Sequence, residues 1–199
     1  ALKACKMGEG TVQDALQEKV LTIGENLQIR RFERFDNSTV NVAYNHMGGV
    51  IGVLVALEVS DNLKDNETVK ELGKDIGMQA AAMNPSFLDK SDVDEATLAK
   101  EKEILLIQAL EENKTAAKPK PEQIIHKMVD GRIGKYYEEN CLLQAFVKEN
   151  KVSVENHIKA VAKELGGEIK LVKCVRFEKG EGIEKKQDDF AAEVASMAK

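Results

Sequence analysis

Residues 40–59 read VNVAYNHMGG followed by VIGVLVALEV, and this stretch decides the fold. Val40, Val42 and Tyr44 alternate with polar Asn41 and Asn45, which is the two-residue period of a half-buried strand. His46-Met47-Gly48-Gly49 interrupts the run. Val50 to Val59 resumes it as a mostly apolar, β-branched segment, the composition of a central strand.

Upstream, Leu27 to Phe35 reads as a further strand that changes phase near Arg30-Arg31. Leu27 and Ile29 sit on one face and Phe32 on the other. Asp36-Asn37-Ser38 reads as a turn. Before it, Thr11 and Asp14 form a weak capping box for a helix striped by Val12, Leu16, Val20 and Ile23, which Gly24 stops.

Downstream, a helix is expected from Asn62 to Met83, ended by Asn84-Pro85. Gly77, Ala80, Ala81 and Ala82 would let it lie close on the sheet. Ser91 and Asp94 both offer caps for a helix to about Asn113, and Pro121 suits the first position of another that reaches about Asn140. That second helix carries Ile125, Met128, Val129, Arg132 and Tyr136 on one stripe. The pair makes an antiparallel hairpin of roughly 30 Å, projecting from the body, with a solvated tip at Lys118-Pro119-Lys120-Pro121.

Ser153 caps a helix that ends at Gly166-Gly167. Ile169, Leu171, Val175 and Phe177 then alternate with Lys170, Val172, Cys174 and Arg176 as a third long strand. Gly180-Glu181-Gly182 turns the chain into a last short helix striped by Phe190, Val194 and Met197. The order implies an α+β fold: an antiparallel three-stranded sheet layered with helices, β-β-α(n)-β, with a projecting helical hairpin.

Composition narrows the function. The chain has 199 residues and a formal charge of -5, with 29 basic and 34 acidic residues. An acidic balance and an aromatic content of 5% without Trp argue against a broad nucleic-acid surface. Three widely spaced cysteines fit a reducing cytoplasm better than a disulfide framework. No signal peptide is visible, and Val50 to Leu57 is too short to span a bilayer. A chain that starts at Ala1 without Met reads as processed or as a piece of a longer protein.

No motif marks an enzyme. His46 to Gly52 is glycine-rich but lacks the Lys-Ser/Thr ending of a phosphate loop. His46, His126 and His157 have no metal spacing, and no cysteine is placed as a nucleophile, so neither metal nor cofactor is expected. The acidic residues between Lys100 and Lys114 sit among lysines as solvated faces. His46 stands apart, beside Met47 and two glycines in a strand-interrupting loop. Packing and a protein interface are both open readings for it.

Several segments together resemble one family. They are residues 23–31 (IGENLQIRR), 44–55 (YNHMGGVIGVLV), 127–132 (KMVDGR), 142–147 (LLQAFV), 176–185 (RFEKGEGIEK) and 189–194 (DFAAEV). In collinear order from about residue 10 to the end, they look like translation elongation factor Ts. The resemblance implies a cytoplasmic guanine-nucleotide exchange factor, not an enzyme making covalent bonds, whose partner is the GTPase elongation factor Tu.

It also implies an organisation: residues 1–93 and 141–187 as a core half, residues 94–140 as a coiled-coil hairpin, and residues 188–199 as a C-terminal module. Contact with the GTPase is expected at His46, Met47, Gly48 and Gly49, with Ile23 and Gly24 near it. Phe190, Val194 and Met197 are expected to dock the C-terminal module. The family's Thr-Asp-Phe-Val motif, which intrudes near the nucleotide's magnesium site, is not in this sequence, so a C-terminal portion of the factor is expected. Val50 stands where the family often has Arg or Lys. The competing reading is a structural or adaptor module whose hairpin binds a second copy or another ribosome-associated partner.

Overall fold

The computed structural model describes residues 1–36 and 38–183, in two units, one of residues 1–34 and one beginning at Phe35. In the first, β1 (Lys6–Met7) and β2 (Gly10–Thr11) form a minimal antiparallel hairpin that runs into α1 (Val12–Ile23). The capping box forms as expected. Thr11 N–H donates to Asp14 Oδ2 at 2.8 Å, and Asp14 N–H donates to Thr11 Oγ1 at 3.3 Å. Gly24 ends the helix in the left-handed region, at φ 77°. The apolar stripe is present, yet no residue of this unit is fully buried.

Residues 27–35 form no strand, contrary to expectation. A strand needs a partner for its backbone and at least one face to bury. Here Arg30, Arg31, Glu33 and Arg34 put charge on both faces, and Phe32 is 53% exposed. The hydrophobic alternation was real but too interrupted to define a buried side.

In the second unit, the glycine-rich interruption expected between the strands of residues 40–59 is a reversal of the chain. β3 (Val40–His46) and β4 (Ile51–Val59) pair antiparallel, with Val42 opposite Val55 and His46 opposite Ile51. α2 (Glu67–Met83) packs across both strands. It starts later than Asn62, because residues 61–63 form a separate single turn and Asn66 caps the helix, its Oδ1 accepting from Thr68 N–H at 2.8 Å. Small residues set its distance from the sheet: Gly73 faces Val42 and Gly77 faces Tyr44.

α3 (Glu95–Lys114) and α4 (Glu122–Asn140) form the antiparallel hairpin around Ala109, Ile125 and Val129. Asp94 is the cap of α3, whereas Ser91 sits in a single turn capped by Asp89. Pro121 lies one position before the first helical residue. The residues of the tip, 114–121, are exposed.

β5 (Ala145–Phe146) and β6 (Glu149–Ser153) add a short hairpin that the sequence reading did not anticipate. α5 (Val154–Glu164) follows, capped by Ser153. β7 (Ile169–Glu178) completes the sheet on the far side of β4, antiparallel, in the order β3-β4-β7.

β7 corrects the expected alternation. Leu171 lies opposite Leu57 and Lys173 opposite Ala56, so Val172 is an extra residue in the ladder. The bulge reverses which residues face inward. Ile169, Leu171 and Cys174 pack in the main core with Val53, Val55 and Leu57, while Val175 and Phe177 lie on the other face. The expected last helix, with Phe190, Val194 and Met197, lies outside the described residues.

Candidate functional site

The turn between β3 and β4 is where the backbone departs from ordinary geometry. Met47 and Gly48 adopt φ 49° and 66°, and Gly49 follows at φ 92°. Glycine takes such angles freely, whereas a side chain at positive φ is strained by about 1–3 kcal/mol. Met47 bears that strain with its side chain 70% exposed. Around Gly48 and Gly49 nothing lies within 4 Å of where a β-carbon would sit. The turn therefore presents backbone, a thioether and open space to its surroundings.

Two contacts fix the base of this turn. Lys179 N–H donates to Val50 O at 2.8 Å, tying the turn to the end of β7 and to the adjacent Gly180–Gly182 turn. On the other side, His46 is half-buried, and its Nδ1 lies 3.0 Å from the Tyr44 hydroxyl. Their rings approach with centroids 5.9 Å apart. Both side chains share a face because they are two residues apart on one strand.

The structure thus gathers His46, Met47, Gly48 and Gly49 into a single exposed turn. Ile23 and Gly24 close α1 in the unit of residues 1–34, with Ile23 exposed and Gly24 surrounded by open space. Phe190, Val194 and Met197 are outside the described residues.

Sequence reading missed two supports. Tyr44 carries no sequence signal beyond its place in the strand alternation and at the start of the family-like segment 44–55. Gln79, on α2, is 1% exposed and clamps the β5–β6 hairpin, donating from Nε2 to Ala145 O at 2.7 Å and accepting from Val147 N–H at 2.8 Å. A polar residue on a helix face gives no sign that it will serve as a clamp.

Two clefts, of about 610 and 540 Å³, share Lys159, Ile169 and Lys170 beside α5. Ile169 pairs with Val59, at the opposite end of β4 from the turn, about 25 Å away along the strand. They are separate from the turn. Among the described residues, no three His, Cys, Asp or Glu side chains converge to hold a metal ion, and no helix is long and apolar enough to cross a membrane.

Comparison with known proteins gives a consistent set of relatives. The family described as "Elongation factor TS" matches residues 1–181. Elongation factor Ts of Clostridium kluyveri is 50% identical over 186 residues, covering 92% of this chain and 58% of the relative. That of Clostridium tetani is 49% identical over 189 residues, covering 94% of this chain and 59% of the relative. That of Clostridium perfringens is 48% identical over 192 residues, covering 96% and 60%. The chain spans about three fifths of the length of these curated relatives.

Proposed function

This chain belongs to the elongation factor Ts family, and on that premise we propose that it is part of a cytoplasmic guanine-nucleotide exchange factor for elongation factor Tu. Such a factor breaks no covalent bond. It binds the nucleotide-free GTPase more tightly than the GDP-bound form, and by linkage each ligand weakens the other. A coupling of about 4 kcal/mol corresponds to roughly a thousandfold change in affinity.

The observation that carries this reading is the exposed, strained turn at Met47-Gly48-Gly49 beside half-buried His46. Strain held at an exposed loop is characteristic of binding sites. We assign the GTPase contact to His46, Met47, Gly48 and Gly49, with Ile23 and Gly24 at a second contact. Docking of Phe190, Val194 and Met197 rests on the family likeness alone. Residues 94–140 serve as the hairpin, and the sheet β3-β4-β7 carries the turn.

The test is release of fluorescent GDP from elongation factor Tu by the full-length factor, with and without His46→Ala. The variant is expected to stay folded and to bind the nucleotide-free GTPase more weakly. Unchanged affinity would remove the turn from the contact.

One observation favours a second reading, a hairpin that contacts a second copy. Ile107 is 55% exposed on α3, and Ile104 and Ile124 are exposed on the same hairpin. Sedimentation of the chain alone and with the GTPase separates the two readings.

A further inference from the structure

We propose that Tyr44 is the positioning residue of the turn: its hydroxyl, donated to His46 Nδ1, sets the imidazole so that Nε2–H is offered to a carbonyl or carboxylate acceptor on the GTPase. This rests on the reading of the turn as the GTPase contact. The two residues share a sheet face, and their polar atoms are 3.0 Å apart.

In this proposal the hydroxyl is the donor, a direction argued from its surroundings and tested by the tautomer. Tyr44 is half-buried and packs against the main core, and Nδ1 is the acceptor within reach of its hydroxyl among the described residues. A phenol hydroxyl that is partly withdrawn from water needs an acceptor for its proton. When Nδ1 accepts, the neutral ring carries its proton on Nε2. No hydrogen bond within the described residues engages Nε2, so that donor is the one left for a partner.

Tyr44 is itself held in place. Its backbone pairs with Val53 in the middle of the sheet, and its ring lies under α2 at Gly77, where a β-carbon would come within 2.6 Å of Tyr44 Cβ. A rigid element thus supports a ring at the mouth of a strained turn. His46 needs such support because it closes β3 and its neighbour Met47 has already left strand geometry.

Two measurements test this. In the chain alone, ¹⁵N shifts of the His46 ring report the tautomer. A pyridine-type Nδ1 and a pyrrole-type Nε2 are expected, and in Tyr44→Phe the two shifts should draw together as both tautomers populate. Phe keeps the ring, so the packing under Gly77 is retained, and unchanged amide shifts in β4 report that the sheet is intact.

With full-length factor and GTPase, Tyr44→Phe should weaken binding about fivefold, the loss of one neutral hydrogen bond. The double variant with His46→Ala should bind no more weakly than His46→Ala alone. Additive losses, or a Tyr44→Phe variant with wild-type shifts and affinity, would overturn the proposal. A His46→Ala variant with wild-type affinity would instead overturn the contact reading beneath it, while the ring shifts would still decide whether Tyr44 sets the tautomer.

Discussion

Gly77 of α2 approaches Tyr44 of β3 so closely that a β-carbon on Gly77 would lie 2.6 Å from Tyr44 Cβ. The obstacle is the root of a side chain, not its flexible end, so helix and sheet would have to move apart. Ala would gain up to about 1 kcal/mol of helix propensity. Overpacking costs about 1–3 kcal/mol and should win. Gly77→Ala is therefore expected to lower stability in urea unfolding. Gly134, inside α4, has no atom within 4 Å of its β-carbon position. Gly134→Ala should gain most of the propensity term, up to about 1 kcal/mol. Opposite signs for the same substitution on two helices are the expected outcome.

Gln79 holds the β5–β6 hairpin by two hydrogen bonds to its backbone, at Ala145 O and Val147 N–H. Leu at this position keeps the volume and removes both partners. Ala145 and Val147 are exposed enough for water to replace part of the loss. A total of about 1–3 kcal/mol is expected. Faster hydrogen exchange at the Val147 amide in Gln79→Leu, with β4 still protected, is the local signature. Uniform loss of protection across the sheet would show that Gln79 supports the whole core.

Cys174 packs against the main core opposite Val55, and burial pushes its thiol up to about 12. The folded chain then holds a proton that the unfolded chain releases from about pH 9. Stability from this group is present in full below that pH and is lost as pH rises towards about 12, because the native state binds more protons. Cys174→Ala should flatten the fall of stability between about pH 9 and 11. Cys5 is exposed, so a thiol reagent at pH 8 should modify it in the folded chain and reach Cys174 only on unfolding.

Signals that act over three or four residues were legible in the sequence. Thr11 with Asp14, Asp94 and Ser153 each cap the helix they were expected to cap, because a cap is a contact between near neighbours. The helical hairpin was legible for the same reason. What escaped depends on distant partners. Nothing local says that residues 27–35 will lack a strand to pair with. The phase change of β7 turns on one extra residue, Val172, against β4. Gln79 acts on residues 66 and 68 positions away. At the turn, Gly48-Gly49 marked an interruption of the strand, and the alternation of residues 40–46 already put Tyr44 and His46 on one face, but the rotamers that bring the Tyr44 hydroxyl to His46 Nδ1 are not written in that pattern.

Met47 separates stability from function at the turn. Its φ of 49° favours glycine, so Met47→Gly relieves strain of about 1–3 kcal/mol, offset by the extra freedom glycine gives the unfolded chain. Thermal stability should hold or rise. Gly49→Ala, at φ 92°, introduces strain of that same order and should lower it. If the exposed thioether contacts the GTPase, Met47→Gly will weaken binding while the fold is as stable as before or more so. A variant that is more stable and binds equally well would mean that the strain is set by the closure of a four-residue loop between His46 and Ile51, with no role in recognition.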